Sequence, residues 1–195
     1  MKLRFALGLT TALAAGAAHG AVVTYDFEGL STAAYVDITT NHQGYAGLTW
    51  TPDDNWVLVS AGSFPTPALS GSYALVNNRG ANPAIVSGGS FDFDGVSAIG
   101  WSFGAPSRIG VRAFDASSGL IGDTGLIAIN GTSYTDITAG FLGVSRLEFY
   151  GGGFFVIDDL RLGMRSSDVP LPGTLSLALV GVGLAGAASR LRKRA

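Results

Sequence analysis

The side chains that could do chemistry in this chain are few, and carboxylates dominate them. Three sets lie close in sequence: Asp53 with Asp54, Asp92 with Asp94, and Asp158 with Asp159. Glycoside hydrolysis needs two carboxyls facing each other across roughly 5 to 10 Å, one of them kept protonated by burial. Successive residues on a strand point to opposite faces, so Asp158 and Asp159 are not expected to form that pair. Asp92 and Asp94 share a face, alternate with Phe91 and Phe93, and read as a solvent-facing acidic edge over a core. His42 falls in a loop-like stretch, and no serine sits in the Gly-x-Ser-x-Gly elbow that a Ser-His-Asp site would use. The absence of cysteine removes disulfides, thiolate metal sites and thiol catalysis. No catalytic residue is expected, and the protein is not read as an enzyme.

Two other uses of these residues are open. Ca²⁺ is satisfied by carboxylates and backbone carbonyls and asks for no fixed spacing, so it suits scattered acids better than a reaction does. Aromatic rings that face outward together could stack on sugars. Trp50 and Trp101 sit in alternating apolar patterns and read as core, which leaves Tyr35, Tyr45 and Trp56, near loops or strand starts, as candidate ligand contacts. Gly181-Val182-Gly183-Leu184-Ala185-Gly186 has the dinucleotide-binding glycine pattern but lies in an apolar run with no strand before it, so it is not read as a nucleotide site.

The elements that must position these groups are strands. Apolar residues recur with a period of two in short bursts bounded by Gly, Asn, Asp, Ser and Pro. Val23, Tyr25 and Phe27 open the series, and the bursts around Leu48, Val57, Tyr73, Ala84, Phe91 and Ile99 continue it. Arg108 to Asp115, Leu126 to Ile129, Val144 to Tyr150 and Phe154 to Leu162 complete it. Asn130-Gly131 between Ile129 and Thr132 predicts a tight hairpin turn. Nothing longer than a turn reads as helix. About ten or eleven strands without helices predict an all-β, antiparallel two-sheet sandwich. A jelly roll is favoured over an immunoglobulin-like sandwich, because the long first and last strands can pair and bring the termini together.

The two ends have a different composition. Lys2 and Arg4 precede an apolar stretch from Phe5 to Ala18 and a small-residue site at Ala18-His19-Gly20, the pattern of a secretory signal peptide. At the other end Val169-Pro170-Leu171-Pro172 leads into a run without charge from Gly173 to Ser189, then a basic cluster of Arg190, Arg192, Lys193 and Arg194. That run is at the short end of the roughly 17 to 25 residues a membrane-crossing helix uses, and the cluster sets the C-terminus on the cytoplasmic side. The expected organisation is a signal peptide at 1–20, an exported domain at 21–165, a linker with the Pro motif at 166–173, a transmembrane helix at 174–189 and a basic tail at 190–195.

Charge changes meaning once the ends are set aside. The whole chain has a formal net charge of −2, but all 14 acidic residues lie between Asp26 and Asp168, against six arginines in that region, a net of about −8. Such a surface repels nucleic acid and anionic lipid, so neither is expected as a partner of the domain. Neutral polysaccharide and divalent cations remain compatible with it.

The tail resembles a PEP-CTERM sorting signal, the bacterial segment handled by exosortases, membrane-embedded transpeptidase-like enzymes with a cysteine nucleophile. The usual motif is Val-Pro-Glu-Pro, followed by an apolar span and an Arg-rich end. Val169, Pro170 and Pro172 match it and Leu171 stands in place of glutamate. A variant reading Val-Pro-Leu-Pro-Ala matches in its first four positions, with Gly173 in place of alanine. The resemblance implies an exosortase-type processing enzyme as partner and a helix that anchors the chain in the inner membrane until processing. It also implies delivery to the cell surface or extracellular matrix, in association with exopolysaccharide.

Tyr25-Asp26-Phe27-Glu28 and Phe155 to Leu162 resemble the edge strands of galactose-binding-like and carbohydrate-binding-module jelly rolls. That resemblance implies a glycan-binding module as the alternative function. It also implies a structural calcium where the first and last strands meet, with Asp26, Glu28, Asp158 and Asp159 as candidate ligands.

Overall fold

The computed structural model describes residues 21–164 apart from 42–43, 54, 63–66, 79, 81–82 and 102–106. The signal-peptide region, His42, Asp54, the motif Val169 to Pro172, the 174–189 run and the basic cluster lie outside the described residues.

Eleven strands carry the described part of the chain. They are β1 (Val22–Tyr25), β2 (Tyr35–Asp37), β3 (Leu48–Thr51), β4 (Trp56–Ser60), β5 (Tyr73–Asn77), β6 (Ala84–Gly100), β7 (Ser107–Phe114), β8 (Leu120–Asp123), β9 (Ile127–Ile129), β10 (Thr135–Gly152) and β11 (Phe155–Met164). Helical structure among the described residues is limited to Ile38–Asn41 and a 3₁₀ turn at Tyr45–Gly47. Every strand pair is antiparallel, in the order β2-β4-β5-β11-β6-β10-β7-β8, with β1 on β11, β3 on β6 and β9 on β7.

This connected sheet folds over on itself because its two longest strands bend. The 84–88 end of β6 lies between β3 and β10, whereas its 91–100 end lies between β11 and β10. The β6–β10 register slips three times between Thr138 and Arg146, near Gly140 and Gly143, both with positive φ. Each bulge adds twist and turns the strand. One layer is then β2-β4-β5 with the start of β11, and the other is β3, β7, the start of β6 and the end of β10.

Trp56, Leu58 and Leu75 from the first layer meet Trp50, Val86, Leu147, Phe149 and Val111 from the second in one buried core. Rings interlock at its centre: Trp50 and Trp56 have centroids 5.4 Å apart and Trp56 and Phe149 5.5 Å, both edge to face, the arrangement aromatic quadrupoles favour.

The first and last strands pair as expected, Val22 opposite Gly163 through Tyr25 opposite Leu160. Two expectations fail. The Asn130-Gly131 hairpin does not form, because β9 pairs with β7 and not with β10. Asn130 instead folds its side chain over the turn, Oδ1 accepting from the amides of Thr132 and Ser133 at 2.8 and 2.9 Å. Asp92 is also not solvent-facing: the β10 bulge brings the Gly143 N–H onto its Oδ1 at 2.8 Å and buries it, while Phe91 and Phe93 fill the core as expected.

Candidate functional site

The four carboxylates expected to bind calcium lie near the end of the β1–β11 seam, and each accepts hydrogen bonds there. Asp158 is fully buried. Its Oδ2 accepts from the amides of Leu69 and Ser70 at 2.9 and 3.1 Å, and its Oδ1 from the amide of Asp159 at 2.8 Å. Asp159 accepts the Ser70 hydroxyl at 2.7 Å. Glu28 Oε1 accepts from the amides of Ser72 and Tyr73, both at 2.7 Å, and Asp26 accepts the amide of Glu28 at 3.1 Å. Three acids therefore clamp residues 69–73, the loop that enters β5, onto the end of the sheet. Among the described residues no three His, Cys, Asp or Glu side chains come together in a way that could hold a metal ion.

Strand alternation placed Asp158 and Asp159 on opposite faces, yet both reach Ser70. Asp159 has φ of 48° and the register shifts between Asp158 and Arg161, so the alternation breaks at this point. Burial pushes the Asp158 carboxyl up to about 6, outweighing the three amide hydrogen bonds that favour its ionised form. Tyr134 lies against this clamp, donating its hydroxyl to the Pro67 carbonyl at 2.8 Å, and burial raises it well above the usual phenol range.

The candidate aromatic contacts separate. Trp56 is 0% exposed, and its indole N–H is shared between the carbonyls of Thr51 and Ile85 at 3.1 and 3.2 Å. It is a core residue and cannot meet a ligand. The sequence misled because Trp56-Val57-Leu58-Val59 is apolar on both faces, so parity could not be read from it. Tyr45 is half-buried against Tyr25, Phe27 and Trp50, and burial pushes its phenol up to about 12.

Tyr35 is 46% exposed at the sheet edge, on the outward face of the first layer. There it joins two rings that sequence reasoning did not pick. Register places Val57, Val76, Val156 and Ile99 in one row on this face. Two positions away along the chain, just past the strand ends, come Asn78, Phe154 and Trp101. Tyr35, Val59, Val76, Asn78, Trp101 and Phe154 line a cleft of about 180 Å³. Phe154 is 43% exposed, and its carbonyl accepts the Trp101 amide at 3.2 Å, which ties the two backbones together beside the cleft. Trp101, expected in the core, is half-buried here. The outward parity of Ile99 and Trp101 relative to Ala98 was the available signal, hidden because both faces of β6 are apolar at that end.

The outward face of the other layer is charged, and its groups pair with one another. Arg112 lies 4.0 Å over the Tyr150 ring and bonds Asp123 at 3.1 Å, and Arg146 bonds Glu148 at 2.7 Å.

An antiparallel β-sandwich with an acid-clamped loop and an aromatic cleft is what fold and site define. The structure of a DUF4465 family protein from Bacteroides caccae shares that fold, with a TM-score of 0.53 at 12% identity over 74% of this chain and 100% of that one. The CBM22-1 xylan-binding domain of Paenibacillus barcinonensis Xyn10C is similar at a TM-score of 0.44, 11% identity, and 76% and 97% coverage. The C-terminal family 22 carbohydrate-binding module of Clostridium thermocellum Xyn10B is similar at 0.43, 15% identity, and 79% and 100% coverage. No curated protein sequence matches the chain. Residues 168–193 match the PEP-CTERM protein-sorting motif, so the chain carries the export and sorting signal of an exosortase substrate.

Proposed function

We propose that this is a noncatalytic exported protein, sorted by an exosortase-type system to the cell surface or extracellular matrix and associated there with exopolysaccharide. The observation that carries the reading is the sorting motif at residues 168–193, placed behind an acidic β-domain. The 174–189 run holds the chain in the inner membrane until processing releases it. Support for the noncatalytic part comes from the carboxylates: Asp92, Asp158 and Asp159 are engaged as hydrogen-bond acceptors that hold a bulge and a loop. The sandwich is read as a jelly roll, which the β1–β11 pairing supports.

The test is the mature C-terminus. Mass spectrometry of the protein recovered from the cell surface is expected to find an end between Pro170 and Gly173. An intact Ala195 on surface protein, unchanged in cells lacking the sorting enzyme, would overturn the reading.

A second reading, a glycan-binding module, is favoured by the cleft beside Tyr35.

A further inference from the structure

We propose that the cleft formed by Tyr35, Trp101, Phe154 and Asn78 binds one uncharged sugar ring of an extracellular polysaccharide. This rests on the reading above that the protein reaches such material, and adds where and how it holds it.

Four observations point to that occupant. The cleft is lined by three aromatic rings, two of them nearly half exposed, over a floor of Val59 and Val76. Rings on a concave surface are a platform for a ligand with an apolar face. A pyranose has one, made of its C–H bonds, with hydroxyls around its edge. Asn78 lines the same cleft and brings an amide that both donates and accepts, the pairing a hydroxyl needs.

The second observation is charge. Among the described residues, no carboxylate and no cationic side chain lines the cleft. The region from Asp26 to Asp168 around it has a net of about −8 from its 14 acids and six arginines. Uronic acids, sulfated glycans, anionic lipid and a second copy of this chain are all repelled. A neutral sugar is not.

Size is the third. About 180 Å³ is below the roughly 300 Å³ at which pockets for drug-sized ligands begin, and suits one ring of a longer chain that continues into solvent.

Support for the rings is the fourth. The floor belongs to a buried cluster of Val57, Val59, Ala74, Val76, Ile99 and Val156, and Trp101 packs against that cluster, so the floor of the cleft is packed sheet. A platform that is already formed loses little freedom on binding.

The experiment uses the full chain purified in detergent. Its probes are neutral gluco-, manno-, galacto- and xylo-oligosaccharides, polygalacturonate, and the extracellular polysaccharide extracted from the producing cells, with binding followed by calorimetry and tryptophan fluorescence. At least one neutral oligosaccharide and the extracted polysaccharide are expected to bind. Tyr35→Ala and Phe154→Ala should each weaken that binding about tenfold or more, while Leu120→Ala, an exposed apolar residue elsewhere, leaves it unchanged. Thermal melting of each variant separates lost binding from lost fold, and if Phe154→Ala melts early, Tyr35→Ala decides. Extracted polysaccharide bound equally by all variants overturns this site and leaves the association standing. Binding of polygalacturonate alone overturns the neutral-sugar assignment. Failure of the unaltered protein to bind any neutral oligosaccharide or the extracted polysaccharide overturns the site and the association together.

Discussion

The carboxylate of Asp158 accepts the backbone amide of Ser70 at 3.1 Å across 88 positions of sequence, and the next residue, Asp159, takes the hydroxyl of that same serine. Two adjacent acids thus converge on one loop residue, although an unbroken strand would send them apart. The left-handed backbone at Asp159 makes the convergence, and it turns a set of acids that looks like a cation site into a latch on residues 69–73.

This latch is expected to give the protein a pH dependence with a particular sign. Asp158 has a folded value raised to about 6 from an ordinary 3.8, so between those values the folded chain holds a proton that the unfolded chain has released. Its contribution is fully present below about 3.8 and is lost as pH rises through 6. At about 1.4 kcal/mol per unit, the loss is on the order of 3 kcal/mol. Urea unfolding of Asp158→Asn between pH 4 and 8 should show a flatter profile in that window than the unaltered protein. Parallel profiles would contradict the assignment.

Calcium should leave the fold unaffected. With Glu28 and Asp158 turned onto backbone amides and Asp159 onto Ser70, a cation would have to displace hydrogen bonds that already order the loop. Differential scanning calorimetry with millimolar calcium and then with chelator is expected to give the same melting temperature. An upward shift with calcium would mean that the acids rearrange.

Gly71 should resist substitution for two reasons at once. Its φ is +58°, and a Cβ there would stand 2.4 Å from the Glu28 carboxylate. Gly71→Ala is expected to cost about 1 to 3 kcal/mol. Part of that cost comes from pushing Glu28 off the Ser72 and Tyr73 amides. A double-mutant cycle with Glu28→Ala should therefore be non-additive, with a smaller loss for Gly71→Ala once Glu28 is gone. Additive losses would show that backbone strain alone is responsible.

Trp56 is expected to matter for stability and not for ligand binding. Trp56→Phe leaves the carbonyls of Thr51 and Ile85 without their indole donor and opens space beside Phe149 and Phe155. The expected loss is about 1 to 3 kcal/mol, read by chemical denaturation. A loss of glycan binding in a variant that melts normally would return Trp56 to the surface.

By itself the sequence determined the all-β class, the pairing of the first and last strands, the burial of Trp50, Phe91 and Phe93, and the sorting signal at the C-terminal end. Each of these is written in local pattern: a period of two, a short motif, an ordered string of proline, apolar run and basic end. Only the tertiary structure decided what the acids and the exposed rings do. Bulges near Gly140, Gly143 and Asp159 break the alternation from which facing is inferred, which buried Asp92 and brought Asp158 and Asp159 together. Where both faces of a strand are apolar, as at Trp56 and Trp101, composition is blind to direction, and the neighbouring strand determines which ring fills the core and which lines the cleft with Tyr35.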